Sequence, residues 1–457
     1  MIKQNKKGLV LVVAMVLMVV LLASCGGGGG AAGGGSPAAP PAGGGSAPGG
    51  SPAAPPSGGG AAATAPATIK IGIPNPATGP LASFGIGTPW AEKLVVDFVN
   101  KDGGIYIKDY DKKIPIEIFT PDTESSDVKA GEVAKQLVTN NGVNMLIARH
   151  TPATALPVSQ AAETLQVPFV SLECPVDPWL AGGPYQWGFH AFWTVNEVCD
   201  MYMAMWKQLG YGEGTVVGGI FPNDPDGIAW KPIFEKKLPE NGFKLVSVTP
   251  EMDNQEWTNA INQFKSAGVK IVTGVPITPL FASFAQQCVQ QGFNFDIATC
   301  GRAFLFPSDA EAMPKEIIPK LSCEVWWSPW HPWKSALTGT TCPELADAYT
   351  KETGQPWSAP MGYKYAGVEI AVDALTRAQS LDPKTIVDAI GATDLDTMVG
   401  HIKYDPTTRV APTMIVGGQW TVVDDPAAKN GYRAEIKIVY NANHPEIPLN
   451  GTLQIPK

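Results

Sequence analysis

Residues 142–172 read GVNMLIARHTPATALPVSQAAETLQVPFVSL, and the architecture of the chain can be predicted outward from this segment. Two short apolar runs in it are typical of buried strands, NMLIA (144–148) and PFVSL (168–172), and residues 157–166 between them have a helical pattern. A strand, a helix and a second strand at this spacing predict a βαβ unit and therefore a parallel sheet.

The same alternation extends in both directions from this segment. Further strands are predicted at 69–74, 115–123, 215–221, 243–250, 270–276 and 296–299, with amphipathic helices between them. The pattern restarts after residue 190, so the sequence predicts an α/β protein with two doubly wound parallel-sheet lobes. In such folds ligands bind beyond the carboxyl ends of the strands.

The composition excludes several classes of protein. The 457 residues include 13 Trp, 16 Phe and 11 Tyr, which require burial and exclude a wholly disordered chain. The net charge is −9 and no basic stripe is present, so no nucleic-acid partner is expected.

The first 25 residues have the pattern of an export signal. Lys3, Lys6 and Lys7 precede an apolar run over residues 8–23, which is followed by Cys25. The sequence Leu-Ala-Ser-Cys at 22–25 resembles a bacterial lipobox, which implies cleavage before Cys25 and lipidation of that residue. An uncleaved anchor helix is the alternative. Both place the body outside the cytoplasm, anchored to the outer side of the bacterial cell membrane or to a periplasmic face.

Residues 26–67 contain only Gly, Ala, Pro, Ser and Thr, and the string SPAAPP occurs twice, at 36–41 and 51–56. Such a segment has no large apolar side chains to bury and cannot offset the entropy of ordering. It is predicted to be a disordered tether between the anchor and the body.

Several segments of the body resemble, in order and spacing, one family of transport proteins. They are IKIGIPNPATGPLASFG (69–85), FVNKDGGI (98–105), FTPDTESSDVKAGEVAKQLV (119–138), the segment 142–172, FPNDPDGIAWKPIFEKKLPENGFKLV (221–246), NQEWTNAINQFKSAGVKIV (254–272) and VGHIKYDPTTRVAPTMIVGGQW (399–420). The chain is similar to ABC-transporter substrate-binding proteins of the branched-chain amino-acid (Leu/Ile/Val) type.

The resemblance implies a type I periplasmic binding protein fold, with two lobes joined by three crossovers. Lobe one is expected at 68–190 plus 325–400, and lobe two at 191–324 plus 401–457. It also implies a monomer that closes on a small ligand by a hinge motion and presents it to an ABC permease in the membrane. No cofactor or metal is expected.

The resemblance also implies a set of ligand-binding residues in lobe one. Thr151, Ala153 and Thr154 match the family loop that holds a ligand carboxylate, although Thr154 could also cap a helix. Arg149 precedes this loop as either an extra anion clamp or a salt-bridged scaffold residue. Ser83 matches a residue on the rim of the first lobe.

At other positions the chain departs from the family pattern. Glu173 and Cys174 stand where the family has small residues and Thr around the head group, and Asp226 stands where members often carry Tyr. Arg302 replaces an acid that pairs with a ligand ammonium, which favours an acidic or neutral ligand. Trp193 near the first crossover could stack on the ligand or belong to the core.

Two further features leave alternatives open. Four Trp residues in the segment 325–339 could wall the cleft or pack beneath the crossover. Six cysteines in an exported body make disulfides possible, with Cys323–Cys342 as the first candidate and Cys288–Cys300 as the second. Buried thiols are the alternative to both bonds.

An exported enzyme is the main rival function, but the chain has no G-x-S-x-G, H-E-x-x-H or P-loop motif. Its five His residues show no close metal-ligand spacing. The sequence therefore predicts a non-enzymatic receptor for a small, carboxylated and partly apolar solute, either amino-acid-like or an aromatic or aliphatic acid. A ligand-sensing module for a signalling partner is the alternative.

Overall fold

The computed structural model describes residues 64–456. The predicted signal peptide, Cys25 and almost all of the predicted tether lie outside the described residues. Among the helices of the described part, none is long and apolar enough to span a membrane.

Within this range the helices and strands alternate along most of the chain, as the sequence pattern predicts. The helices are α1 (Thr88–Lys101), α2 (Asp127–Thr139), α3 (Thr151–Leu165), α4 (Val176–Ala181), α5 (Val195–Gln208), α6 (Pro225–Glu240), α7 (Thr258–Ala267), α8 (Thr278–Gln290), α9 (Pro307–Glu311), α10 (Cys342–Thr353), α11 (Met361–Ala378) and α12 (Pro383–Gly391). The strands are β1 (Ile69–Gly72), β2 (Ile105–Ile107), β3 (Lys112–Ile114), β4 (Ile116–Phe119), β5 (Met145–Ala148), β6 (Phe169–Leu172), β7 (Gly188–Phe192), β8 (Val216–Ile220), β9 (Lys244–Val248), β10 (Ile271–Gly274), β11 (Ile297–Cys300), β12 (Leu321–Val325), β13 (Asp394–Thr397), β14 (Gly400–Lys403), β15 (Val410–Pro412), β16 (Val416–Asp424) and β17 (Tyr432–Tyr440).

Two large sheets define two lobes. The sheet of lobe one has the order β15-β7-β6-β5-β1-β4 and all its strands are parallel. The sheet of lobe two has the order β17-β16-β12-β11-β10-β8-β9, parallel from β12 to β9 and antiparallel at the β16–β17 edge. The predicted α/β class with parallel sheets is confirmed.

The central strands are short and wholly buried because helices cover both faces of each sheet. Every residue of β5, β6, β10 and β11 is buried, which explains why these strands appear in the sequence as continuous apolar runs rather than alternating ones. Their carboxyl ends lie at the edge of each sheet where ligands bind in such folds.

The chain passes between the two sheets three times, after β7, after β12 and after β15. The predicted boundaries at 190 and 400 need correction. Strand β7 continues to Phe192, and β15 pairs with it in parallel, Val410 opposite His190. Residues 401–412 therefore belong with lobe one, and the third crossover begins after Pro412.

The start of α5 fixes the first crossover. Thr194 accepts a hydrogen bond from the backbone N–H of Glu197, and the Glu197 carboxylate accepts one from the backbone N–H of Thr194 at 2.7 Å. This capping box satisfies two otherwise free donors, so the helix begins at Val195 as soon as β7 has ended.

Neither predicted disulfide is formed, and the six body cysteines are separate buried thiols. Cys323 lies in β12 of lobe two, whereas Cys342 begins α10 and accepts a hydrogen bond from Trp327 Nε1 at 3.0 Å. Cys288 in α8 and Cys300 in β11 are also each part of the core. Burial raises the pKa of the Cys342 thiol to about 12, so it is held as a neutral and unreactive group.

Candidate ligand-binding site

A small cavity lies between the lobes, beyond the carboxyl ends of the parallel strands. Its volume is about 20 Å³, room for about one water molecule, so the two lobes are close together in this structure. The residues that line it are Phe84, Thr151, Pro152, Glu173, Pro175, Phe192 and Trp193 of lobe one and the first crossover, and Asp226, Trp230, Val275, Arg302, Leu305, Glu324 and Trp326 of lobe two and the second crossover.

The backbone is strained at three of the strand ends that meet there. His150 and Thr151 after β5 have φ of 70° and 68°, Glu173 after β6 has φ of 55°, and Arg302 after β11 has φ of 65°. A side chain in this left-handed region costs about 1–3 kcal/mol, and such residues cluster at binding sites. The fold therefore stores strain at the cavity.

Several polar groups at the cavity are buried with no hydrogen-bond partner in the described part of the chain. They are the Thr151 hydroxyl, both Glu173 carboxylate oxygens, and the indole N–H groups of Trp193, Trp230 and Trp326. An unsatisfied buried polar group costs about 1–3 kcal/mol, so groups of this kind are rare unless something else completes them. Together they offer four donors and one carboxylate to a bound molecule.

Glu173 supplies a negative charge to the lobe-one wall. Its Oε2 lies 3.0 Å from His150 Nδ1, although the alignment is too poor for a hydrogen bond. Burial lowers the pKa of His150 to about 4, so this imidazole is neutral at pH 7. Although burial raises the pKa of Glu173, the positive charges of Arg149 and Lys364 act to lower it, and the pKa lies below its usual value, so the carboxylate is ionised.

Arg149 belongs to the scaffold behind the cavity. It is fully buried, forms an ion pair with Glu92 of α1, and donates to the Lys364 carbonyl of α11 at 3.0 Å. Lys364 in turn donates to the carbonyls of Phe84 and Ile86, the second at 2.7 Å, and so holds the segment after β1 against α11. The alternative of a salt-bridged Arg149 is the one found, and the anion clamp is not.

Arg302 lines the cavity, but its charge is already paired. Its Nη1 donates to Asp224 at 2.6 Å and to Asp226 at 2.8 Å, and its Nη2 donates to the Val275 carbonyl at 2.6 Å. Burial raises the pKa of Asp226 to about 7, against the lowering effect of Arg302. Arg302 therefore lines the cavity as part of an ion-pair cluster with Asp224 and Asp226.

Glu324 completes the lobe-two wall at the end of β12. Its carboxylate accepts a hydrogen bond from the buried Tyr202 hydroxyl of α5. Burial raises the pKa of Glu324 to about 7, so protonated and ionised forms are both accessible near neutral pH.

The structure brings half of the expected ligand-binding residues to the cavity. Those that line it are Thr151, Glu173, Trp193, Asp226 and Arg302. The other five do not line it: Ser83, Arg149, Ala153, Thr154 and Cys174.

The five residues away from the cavity have other positions. Thr154 is buried within α3, Ala153 is half-buried beside it, and the Cys174 thiol points to the Pro175 carbonyl at 3.5 Å. Ser83 instead bridges the lobes, because its hydroxyl donates to Asp309 of α9 at 2.8 Å. Sequence position alone placed these residues near the site but could not give the direction of each side chain.

Two aromatic residues of the wall carried a signal in the sequence. Trp230 lies four residues after Asp226 in α6 and hence on the same helical face. Trp326 directly follows β12, and it alone of the four crossover Trp residues lines the cavity. Trp327 packs against Gly362, so the alternative of packing holds for that neighbour.

Comparison with known proteins supports this fold. A family described as "Periplasmic binding protein" matches residues 68–424. A curated relative, the Leu/Ile/Val-binding protein homolog 7 of Brucella suis biovar 1 (strain 1330), is 24% identical over 389 residues, covering 80% of this chain and 94% of the relative.

Two solved structures have the same fold. A leucine-binding protein from Thermotoga maritima has a TM-score of 0.69 at 19% identity, covering 82% of this chain and 99% of its own. An ABC-transporter solute-binding protein from Rhodopseudomonas palustris BisB5, in complex with 3,4-dihydroxy benzoic acid, has a TM-score of 0.63 at 18% identity, covering 81% and 96%.

Proposed function

Because this chain belongs to the periplasmic binding protein family, we propose that it is a lipid-anchored receptor that delivers a small solute to an ABC importer. The solute is a carboxylated and partly apolar molecule, bound between the lobes. The relatives are solute-binding proteins rather than enzymes, which agrees with a receptor.

The observation that carries this proposal is the set of unpaired polar groups in an aromatic cavity. The Thr151 hydroxyl and three indole N–H groups can donate to a ligand carboxylate, and Glu173 can accept from an ammonium or hydroxyl group. Thr151 begins α3, a helix of 15 residues whose N-terminus favours an anion.

The aromatic walls select the rest of the ligand. Phe84, Phe192, Trp193, Trp230 and Trp326 surround the cavity and favour a flat or branched apolar body. Amino acids and hydroxylated aromatic acids both combine such a body with a carboxylate and a donor. The neighbours named for leucine and found with 3,4-dihydroxy benzoic acid belong to these two classes.

The division of the cavity between the lobes supports hinge closure around the ligand. Thr151 and Glu173 lie in lobe one, and Asp226, Trp230 and Arg302 lie in lobe two, so a ligand that contacts both sets bridges the lobes. It favours the closed state only by the extra contacts that closure adds.

A ligand screen tests the proposal. We expect carboxylated amino acids or aromatic acids to raise the melting temperature of the full chain with increasing concentration, and the matching carboxamides to have a smaller effect. Glu173→Gln keeps the shape of the side chain but removes its charge. We therefore expect ligands with an ammonium or hydroxyl group to bind at least tenfold more weakly to this variant.

The matched control is Glu240→Gln, an exposed residue at the end of α6. If no amino acid or carboxylic acid raised the melting temperature, the ligand class would be wrong. If the chain converted a bound solute into a product by itself, a pure receptor would be excluded.

A further inference from the structure

A second pocket lies beside the cleft cavity, between the same two lobes. Its volume is about 270 Å³, and most of its lining is apolar. Lobe one contributes α10 and the loop that follows it, while lobe two contributes the segment after β11 and the β16–β17 edge. The lining residues are Leu305, Pro307, Glu311, Trp330, Thr350, Pro356, Trp357, Ser358, Ala359, Trp420, Arg433, Ala434, Glu435 and Ile436.

This pocket and the cleft cavity share one lining residue. Leu305 lines both spaces and forms the wall between them. Phe84 of the cavity also packs edge to face on Phe306, with ring centroids 5.2 Å apart, and Phe306 lines the outer continuation of the pocket. The two spaces therefore meet at the Leu305 side chain.

The charged groups around the pocket already have partners. Arg433 pairs with Asp425, and a Glu311 carboxylate oxygen accepts from the Ala434 backbone N–H at 3.0 Å. Glu435 pairs with Lys437 at 2.9 Å. A molecule that entered the pocket would therefore meet apolar surface rather than free charge.

Two Trp residues give the pocket its character. Trp330 and Trp357 are both half-buried, and their rings meet edge to face with centroids 5.5 Å apart. A third, Trp420, also lines the pocket; it is fully buried, and its indole N–H donates to the Phe304 carbonyl at 2.8 Å. Partly exposed aromatic surface in a concave site is typical of ligand pockets.

We propose that this pocket, here called the tail pocket, receives the apolar tail of a solute whose carboxylated head occupies the cleft cavity. The inference rests on the proposed function and narrows its ligand to elongated, amphiphilic carboxylic acids. The cleft cavity has polar groups without partners, and the tail pocket has apolar walls. The two spaces therefore match the two ends of such a molecule.

The test is the dependence of affinity on chain length. The probes are straight-chain monocarboxylic acids of four to eight carbons and the corresponding phenylalkanoic acids, titrated calorimetrically into the full chain in a mild detergent. Burial of each methylene stabilises by about 0.8 kcal/mol, so the dissociation constant should fall about fourfold per added carbon until the tail pocket is filled.

A variant that fills the tail pocket separates it from the cleft. Thr350 is an exposed residue of α10 that lines the pocket, and Thr350→Trp would occupy the space without disturbing the core. The control is Asp347→Trp, an exposed position of the same helix outside the pocket lining. Partitioning of the probes into the detergent is the same for both variants, so it cannot account for a difference between them.

We expect Thr350→Trp to remove the gain with chain length while keeping the affinity for the shortest acids, and Asp347→Trp to retain the gain. If affinity did not depend on chain length, or if its dependence on chain length were the same in the two variants, the tail-pocket proposal would be wrong. The protein would then still be a receptor for short acids. If acids of no length bound, the tail pocket would likewise be overturned, and the proposed function would fail only if the amino acids of the ligand screen did not bind either.

Discussion

At the scale of single residues, the buried arginines of the body pair with acids that are distant in the sequence, so only the folded structure shows their partners. Arg149 finds its partner Glu92 57 positions earlier in the sequence, and Arg302 finds Asp224 and Asp226 more than 70 positions earlier. A buried charge requires a partner, but a single sequence does not indicate which acid is brought beside it. The predicted ligand roles of both arginines therefore could not be settled before the fold was known.

Glu369 shows how one buried acid couples stability to pH. It lies in the middle of α11, fully buried, and its carboxylate accepts the Met398 backbone N–H at 2.9 Å. Burial raises its pKa to about 7, above the ordinary value near 4.5. The stabilisation is therefore complete below about pH 4.5 and is lost as the pH rises through 7, because the folded state resists ionisation.

Glu369→Gln should remove this contribution. Glutamine is neutral at every pH. Between pH 5.5 and pH 8 the free energy of unfolding of the parent should therefore fall by about 2 kcal/mol relative to that of the variant. Urea unfolding at the two pH values measures the difference. The control is Glu240→Gln at the exposed end of α6, and an equal pH dependence in all three proteins would contradict the assignment.

At the scale of the elements, regular periodicity was predictable and distant pairing was not. The buried strands β5, β6 and β10 match the apolar runs in the sequence closely. Strand β15 has only three residues, and its place beside β7 comes from pairing with residues more than 200 positions away. No local pattern specifies such a contact, which is why the boundary at 400 was misplaced.

The turn after β11 contains a close approach that a substitution can test. A Cβ atom on Gly301 would lie 2.5 Å from the Trp230 ring, one wall of the cavity. Gly301→Ala should therefore push this ring out of place and weaken ligand binding tenfold or more. We expect it to lower the melting temperature only slightly. The control is Gly268→Ala at the end of α7, a position where a Cβ meets no atom within 4 Å.

Calorimetric titration of both glycine variants measures the effect. Gly268 has φ of 70°, so alanine there carries its own backbone strain and should lower the melting temperature without changing affinity. Unchanged affinity in Gly301→Ala would show that the Trp230 ring does not shape the ligand site.

The contact between Ser83 and α9 acts as a latch between the lobes. The Ser83 hydroxyl donates to Asp309 at 2.8 Å, and this bond joins lobe one directly to lobe two. Such a bond contributes about 0.5–1.5 kcal/mol, so Ser83→Ala should weaken binding of every ligand by a similar factor of about 2–12. Ser266→Ala on the exposed side of α7 is the control.

Comparison across several ligands distinguishes a latch from a ligand contact. A latch changes the closing equilibrium, so the loss in affinity is the same for all ligands that require closure. A loss confined to one ligand class would instead make Ser83 a direct binding residue, as the resemblance to the family implied.

At the scale of the whole molecule, the two-lobed body and the first 67 residues have separate tasks in the proposal. The body holds the cavity and the tail pocket, which are both lined by residues of the described range 64–456. The lipobox-like sequence ending at Cys25 is proposed to supply the anchor. About two acyl chains suffice for stable anchoring, since each buried methylene contributes about 0.8 kcal/mol.

Cys25→Ser should therefore separate location from binding. Without the thiol no lipid can be attached and the leader cannot be processed at this site, so the variant should not incorporate labelled palmitate. Because all the residues that line the cavity belong to the body, the affinity of the variant for the solute should equal that of the parent protein. Metabolic labelling, membrane fractionation and calorimetry measure the lipidation, the location and the affinity of the variant.

A parent protein that remained in the membrane at full unprocessed mass without palmitate label would contradict lipidation and favour an uncleaved anchor helix. A change in affinity on Cys25→Ser would show that the anchor and the cavity are coupled.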